Sequence, residues 1–411
     1  MQKTRQPWSS DQYSAGINPE WQTVLANLLS PQEFPIELQD IVSKVSTGRR
    51  LSIEDGLVLY NHPSLTDVAR IANAARQARF SNDVFFNHNV HVNQTNLCIL
   101  SCKFCAFSRT KKSADAYALS IDDYLQQISL YAPFVDEVHT VGGLHPDWGI
   151  EQYEGMFSAA KKMFPDIHIK ALSAVEVNHL SVISGLSVSE TLIRLRDAGL
   201  DSLPGGGAEI LDDSIRDIIC KGKETTAEYL EIHRCAHEIG MPTNCTMLYG
   251  TIETIEQRLN HLDLLRRQQD ESGGFQCFVP YPFLPDSSRL PEAQLATGTE
   301  ILRTMAISRL MLDNIPHLKA YRMNLGDEIS ELALQYGADD IDGTVHQESI
   351  MHLAGSTTPL DSDKSQLAKI IYNAGKNPIL RNSKYTNFTE YIATHPTTKP
   401  LKGKGVSLRV I

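Results

Sequence analysis

The sequence predicts an α/β chain built on a (β/α)8 TIM-type barrel, with a helical segment before it and a helical extension after it. From about residue 84 onward, short apolar runs alternate with amphipathic stretches of helical period. Such alternation indicates parallel βαβ units, and eight apolar runs fit a closed barrel, with an open sheet of fewer strands as the alternative because the fourth and eighth runs are weak. The chemically distinctive residues also gather just after these runs, where barrels of this class carry their active sites. The expected divisions are a helical segment over 1–83, the barrel over 84–343, and an extension over 344–411 that closes the barrel.

In the first segment, "LSIEDGLVLY" opens on Ser52 with Asp55 three residues on, the pattern of a capping box. "PSLTDVARIANAARQARF" repeats its apolar residues at helical spacing. Strands are expected at "VHVN" (90–93), "EVHTVG" (137–142), "IHIKALS" (167–173), "LDSLP" (200–204), "TNCTMLY" (243–249), "FQCFVP" (275–280), "LKAYRM" (318–323) and "DDIDG" (339–343). Helices are expected between most of them, one from Ser120 and one stopped by Gly240, since glycine readily ends a helix. "SQLAKIIYNAGKNPI" reads as a terminal helix and "RNSKYTNF" as part of a tail.

Hydrophobic residues make up 42% of the 411, enough for a large core. No run approaches the roughly 18 apolar residues of a membrane span, and "MQKTRQPWSSDQYSAG" has no apolar signal region. A net charge of −11 argues against nucleic acid or an anionic membrane as partner. Seven cysteines, an odd number in a long chain, suggest a reducing, cytoplasmic compartment. Cys220, Cys235, Cys245 and Cys277 are scattered and read as small buried hydrophobes.

The other three stand in "CILSCKFC", at Cys98, Cys102 and Cys105. They cannot all pair with one another as disulfides. Structural zinc takes four ligands, so a distant His would have to complete a zinc site. Iron–sulfur clusters are held by thiolates, and three of them leave one iron of a [4Fe–4S] cluster free for a small molecule. Spacing alone leaves cluster, zinc and no metal open.

The CxxxCxxC spacing, with Phe104 before the third cysteine, resembles the cluster loop of radical S-adenosylmethionine (SAM) enzymes. The resemblance implies a [4Fe–4S] cluster on Cys98, Cys102 and Cys105, with SAM as cofactor. It also implies a one-electron reductant such as flavodoxin or ferredoxin. Gly142-Gly143 resembles the superfamily motif whose backbone receives the SAM amino group. "GGG" at 205–207 lacks the Lys-Ser/Thr of a phosphate loop and reads as a tight turn beside SAM or substrate. Glu176 and Glu209 are candidates for the ribose hydroxyls, since a carboxylate accepts several hydrogen bonds.

Longer stretches, among them "IHIKALSAVEV", "AGLDSLPGGGAEI", "TMLYG" and "GADDIDGT", resemble the group that handles futalosine-pathway and deazaflavin intermediates, over roughly residues 50 to 385. Within it they look most like the aminofutalosine synthases of menaquinone biosynthesis. Those enzymes add the 5′-deoxyadenosyl radical to 3-[(1-carboxyvinyl)oxy]benzoate. The products are 6-amino-6-deoxyfutalosine, methionine and carbon dioxide or bicarbonate. Arg322 and Lys170 are candidates for the substrate carboxylates, Tyr281 and Phe283 for a ring slot, and His145 for a group facing the site. Two positions depart from the group's pattern: Thr251 and Leu284 stand where His is usual. Cyclic dehypoxanthine futalosine synthase or FO-synthase-like chemistry is the alternative within the group. A zinc-stabilised barrel binding a nucleoside-like ligand is the alternative outside it.

Overall fold

The computed structural model describes residues 15–360 and 362–392. Ser52 caps the helix Ile53–Asn61: its Oγ accepts from the Asp55 N–H at 3.2 Å, while the Asp55 carboxylate accepts from the Ser52 N–H at 2.8 Å. This satisfies amides that a helix start otherwise leaves orphaned. Gly56 lets the same helix lie on Ile255–Ser272, because a Cβ there would stand 2.5 Å from Leu259 Cδ2. The helix Leu65–Phe80 buries Val68, Ile71 and Ala75 and packs on Gly298–Met311.

Ten strands are described: β1 Asp83–Phe86, β2 Asn89–His91, β3 Glu137–Thr140, β4 His168–Ala171, β5 Thr243–Tyr249, β6 Phe275–Pro282, β7 His317–Ala320, β8 Asp340–Ile341, β9 Asn377–Arg381 and β10 Phe388–Glu390. Strands β2 to β8 fall on seven of the expected runs. Every strand pairing is parallel except β9 with β10. Helices occupy most of the connections, as parallel pairing requires.

The expected closed barrel is not formed, because the sheet does not close. The strands make a three-stranded sheet, β2-β3-β4, and a seven-stranded sheet, β10-β9-β1-β8-β7-β6-β5. The run at 200–204 yields only single parallel bridges, Lys170 with Ser202 and Leu203 with Thr243, which link β4 to β5. Between β1 and β2 the ladder breaks. There the Asn89 N–H donates to Thr344 Oγ1 at 3.1 Å, and Asn89 Oδ1 accepts from the Val345 N–H at 3.0 Å.

The extension departs from its expected helical character. Its helix Lys364–Asn373 ends just before Gly375, whose φ of +70° suits a residue without Cβ. The chain then forms β9, which pairs parallel with β1. The expectations for residues 1–14 and 393–411 lie outside the described residues. No described helix is long and apolar enough to cross a membrane.

Candidate active site

The segments that follow the parallel strands converge on one cavity of about 260 Å³. Ligands of open α/β sheets bind at these carboxyl ends. Phe104 and Cys105 come from the loop after β2, Gly142 from the turn after β3, and Glu176 from the helix Ala174–Ser184 after β4. Gly206, Gly207 and Glu209 follow the bridge at Leu203, and Tyr281, Phe283 and Leu284 end β6 and the turn beyond it. Glu348, Ile350 and Met351 bring the extension over the cavity.

All three cysteines of the first loop are free thiols. Cys98 and Cys105 share a neighbouring recess of about 280 Å³, and Cys105 faces the main cavity as well. The loop is held by its backbone: Ile99 N–H donates to Leu144 O at 3.1 Å and Lys103 N–H to Ile219 O at 2.7 Å. Arg289 Nη2 donates to Cys102 O at 3.0 Å. Burial pushes the Cys102 thiol up to about 12 and raises that of Cys98. Thiolates there need a positively charged partner, which iron supplies. Among the described residues, no three metal-ligating side chains converge on one point.

Gly142 and Gly143 meet this loop directly. A Cβ on Gly142 would stand 2.6 Å from Thr95 O, and one on Gly143 would stand 2.1 Å from Leu97 O. Gly142 lines the cavity and donates its N–H to Glu176 Oε1 at 3.0 Å. Gln94 Nε2 donates to the same oxygen at 2.9 Å, while Glu176 Oε2 takes the Ser173 N–H and hydroxyl at 2.7 and 2.6 Å. The expected ribose-binding role of Glu176 is thereby displaced: its four acceptor positions are filled by protein donors, and it fixes Gly142 instead.

Glu209 lines the cavity with its backbone at φ +45° and accepts from Lys223 Nζ at 2.5 Å. Lys223 also lies 5.4 Å above the Phe104 ring. Burial works against its charge, but Glu209 and the thiols of Cys102 and Cys220 hold its pKa well above the usual lysine value. Gly205 of the glycine run has φ +85°, and its carbonyl accepts from Tyr229 Oη at 2.8 Å and Thr246 Oγ1 at 2.9 Å. That run is a cavity wall.

Three candidates fall elsewhere. His145 stacks on Trp148 at 4.4 Å, accepts from the Asp147 N–H at Nδ1, and does not line the cavity. Arg322 begins the short helix Arg322–Leu325 rather than sitting in a strand. It donates to Asp327 Oδ1 at 2.8 Å and Ser362 Oγ at 3.0 Å. Lys170 is buried and paired with Glu137 at 2.7 Å. Thr251 is also withdrawn, its hydroxyl donating to Glu253 Oε2 at 2.6 Å, whereas Leu284 does line the cavity. His91, His139, Lys223, Tyr321 and Glu348 line it without having been expected.

The profile of the radical SAM superfamily matches residues 92–265, and that of the CofH/MqnC C-terminal region matches 272–394. The aminodeoxyfutalosine synthase of Thermus thermophilus is 43% identical over 350 residues, 84% of this chain and 94% of its own. The chain belongs to the radical SAM superfamily. The aminodeoxyfutalosine synthase of Streptomyces coelicolor is 38% identical over 373 residues, 88% of this chain and 96% of its own. The solved structure of methylornithine synthase shares the fold, with a TM-score of 0.66 at 18% identity over 82% of this chain and 96% of that one. The chain is thus a radical SAM enzyme homologous to futalosine-pathway enzymes of menaquinone biosynthesis. Enzymes of this superfamily use a [4Fe–4S] cluster and SAM, and the free thiols around the recess fit that requirement. The second matched region runs through both β6 and β9.

Proposed function

We propose that this chain is an aminodeoxyfutalosine synthase, converting SAM and 3-[(1-carboxyvinyl)oxy]benzoate to 6-amino-6-deoxyfutalosine, methionine and carbon dioxide or bicarbonate. The 43% identity along 94% of a synthase of that name carries the reading. When bound, the cluster supplies the electron that opens SAM, so that its adenosyl carbon bonds to the vinyl carbon of the benzoate. Cys98, Cys102 and Cys105 hold the cluster. Gly142, fixed by Glu176, offers its close-approaching backbone to SAM, and Phe104, Glu209 and Lys223 complete that side of the cavity.

Tyr281 and Tyr321 meet edge to face at 5.4 Å and, with Phe283, form an apolar slot for the aryl ring. The segment Glu348–Met351 excludes water from the opposite side. The reductant is a small carrier such as flavodoxin or ferredoxin, and the enzyme works in the cytoplasm. Anaerobic incubation with ribose-labelled SAM, a reductant and the enolpyruvyl benzoate tests this. Label is expected in the nucleoside product. If 5′-deoxyadenosine accumulated in step with substrate consumed, the radical would be abstracting hydrogen and the reading would fall.

A further inference from the structure

His91 and His139 are register partners on β2 and β3, with ring centroids 4.3 Å apart. Both rings line the cavity, and among the described residues no protein group hydrogen-bonds to either. Two imidazoles placed only to fill a core would be expected to bond a neighbour, as His168 does with Ser202 Oγ at 2.7 Å and His261 does with Thr246 O at 2.9 Å. These two keep their ring nitrogens for whatever enters. Burial lowers His91 to about 3 and His139 to about 4, so both are neutral near pH 7 and each carries one N–H donor.

The nearest charged groups are already paired, so the free groups that the pair offers are neutral N–H donors. Lys170, the register partner of His139 on β4, pairs with Glu137 at 2.7 Å. Lys319 and Arg381 share Asp340, at 3.4 and 2.5 Å. The charged groups that face the two rings are Lys170 and Lys319, with Glu137 and Glu348. Glu348, which lines the cavity with Glu176 and Glu209, accepts from the Ile350 N–H at 2.8 Å, the Met351 N–H at 2.9 Å and His352 Nδ1 at 3.2 Å, so its charge is already engaged.

We propose that His91 and His139 together seat the ring carboxylate of the benzoate substrate, each donating one N–H to it. This rests on the function proposed above. Depth selects the ring carboxylate. His139 lies within β3 and Gly142 in the turn beyond the strand's carboxyl end, so the pair stands deeper than Gly142. The vinyl carbon must lie on the Gly142 and Cys105 side to meet the adenosyl carbon, and the enolpyruvyl carboxylate is borne by the adjacent carbon. The ring carboxylate is the anion left at the far end.

The test compares kcat/KM for the enolpyruvyl benzoate with that for 2-phenoxyacrylate, which lacks the ring carboxylate. Wild type is expected to prefer the benzoate by about 100-fold, from two charge-assisted hydrogen bonds. His139→Phe and His91→Phe should each cut that preference by about tenfold or more at normal iron content, and His139→Gln, which keeps an N–H, should recover part of it. Should the Phe variants fail to fold, His91→Asn and His139→Asn, whose donors reach less far, must lower the preference instead. Folded variants that kept the full preference would overturn the seat and leave the proposed function standing. A wild-type enzyme that joined adenosyl to neither compound would overturn the function, and the seat with it.

Discussion

Gly143 rests against Leu97 so closely that a Cβ on it would stand 2.1 Å from the Leu97 carbonyl oxygen and 3.1 Å from Cys98 Cβ. The glycine turn and the cysteine loop are therefore one packed unit. Gly143→Val must push Leu97, and with it Cys98, out of place. Gly143→Val is predicted to lose most of its iron as well as its turnover, measured by iron analysis after anaerobic reconstitution. Iron content equal to wild type would show that the loop yields without cost.

The cysteines divide in the same assay. Cys98→Ala, Cys102→Ala and Cys105→Ala are each predicted to bring iron to background. Cys245 and Cys277 lie buried on β5 and β6, and Cys235 is buried on the helix Thr226–Glu238. Their replacement by Ala removes only a small side chain, costs about 1 kcal/mol of packing, and should retain the cluster. The same is expected for Cys220→Ala. A Cys220→Ala protein without iron would show that this thiol, which lies near Cys102 and Lys223, takes part in the site.

Most of this geometry was foreshadowed by the order of the apolar runs, since each of β2 to β8 has its alternation or continuous apolar stretch written locally. What escaped depends on distant neighbours. β1 was hidden because only Ser81 and Asn82 separate it from a long helix. β9 was hidden because the helical pattern of "SQLAKIIYN" runs into it across Gly375. Lys170 looks like a free cation in the sequence, and its partner Glu137 is 33 residues away; Arg322 pairs with Asp327, 5 residues on, and with Ser362, 40 residues on. His91 and His139 sat inside strands noticed for their apolar members, and only the pairing of β2 with β3 brings them together.

Glu176 is predicted to be a stability residue as much as a site residue. Glu176→Ala would leave the Gly142 and Ser173 N–H groups and the Gln94 amide without their acceptor in a buried place. Each unpaired buried donor costs about 1–3 kcal/mol, so the variant should lose at least about 2 kcal/mol. Urea unfolding measures this; a midpoint within error of wild type would mean that water reaches these groups.

Acid should unfold the protein early. Burial lowers His91, His168, His233 and His261 to about 3 and His139 to about 4. Unfolded histidine titrates near 6.5. Between that value and the folded one, the unfolded chain binds protons that the folded chain refuses, so stability is full above about pH 6.5 and falls as pH drops toward the folded values. At pH 5 each such histidine costs about 2 kcal/mol. Five together rival the whole margin of a folded protein, about 5–15 kcal/mol. Circular dichroism should show unfolding setting in between pH 6 and 4 (roughly, from those same pKa values). A flat signal to pH 4 would mean that the folded imidazoles accept protons in place.

The two positions that depart from the group's pattern should answer differently to the histidine that is usual there. Thr251 is fully buried and sits in a closed turn: its hydroxyl and N–H both meet Glu253 Oε2, and Glu253 Oε1 in turn takes the Gly250 N–H and Arg258 Nε. An imidazole there must displace this network, leaving Arg258 and Glu253 imperfectly paired. Thr251→His is predicted to lose about 3 kcal/mol or more in urea unfolding, as expected for breaking a buried charged network. Leu284 faces the cavity beside Phe283. A histidine fits that open side with little strain, so Leu284→His should keep its unfolding midpoint within about 1 kcal/mol of wild type. It should raise KM for the enolpyruvyl benzoate instead, by putting a polar group on the wall that meets the aryl ring. If Leu284→His unfolded and Thr251→His did not, Leu284 would be packing the core and Thr251 would have room that its bonds to Glu253 hide.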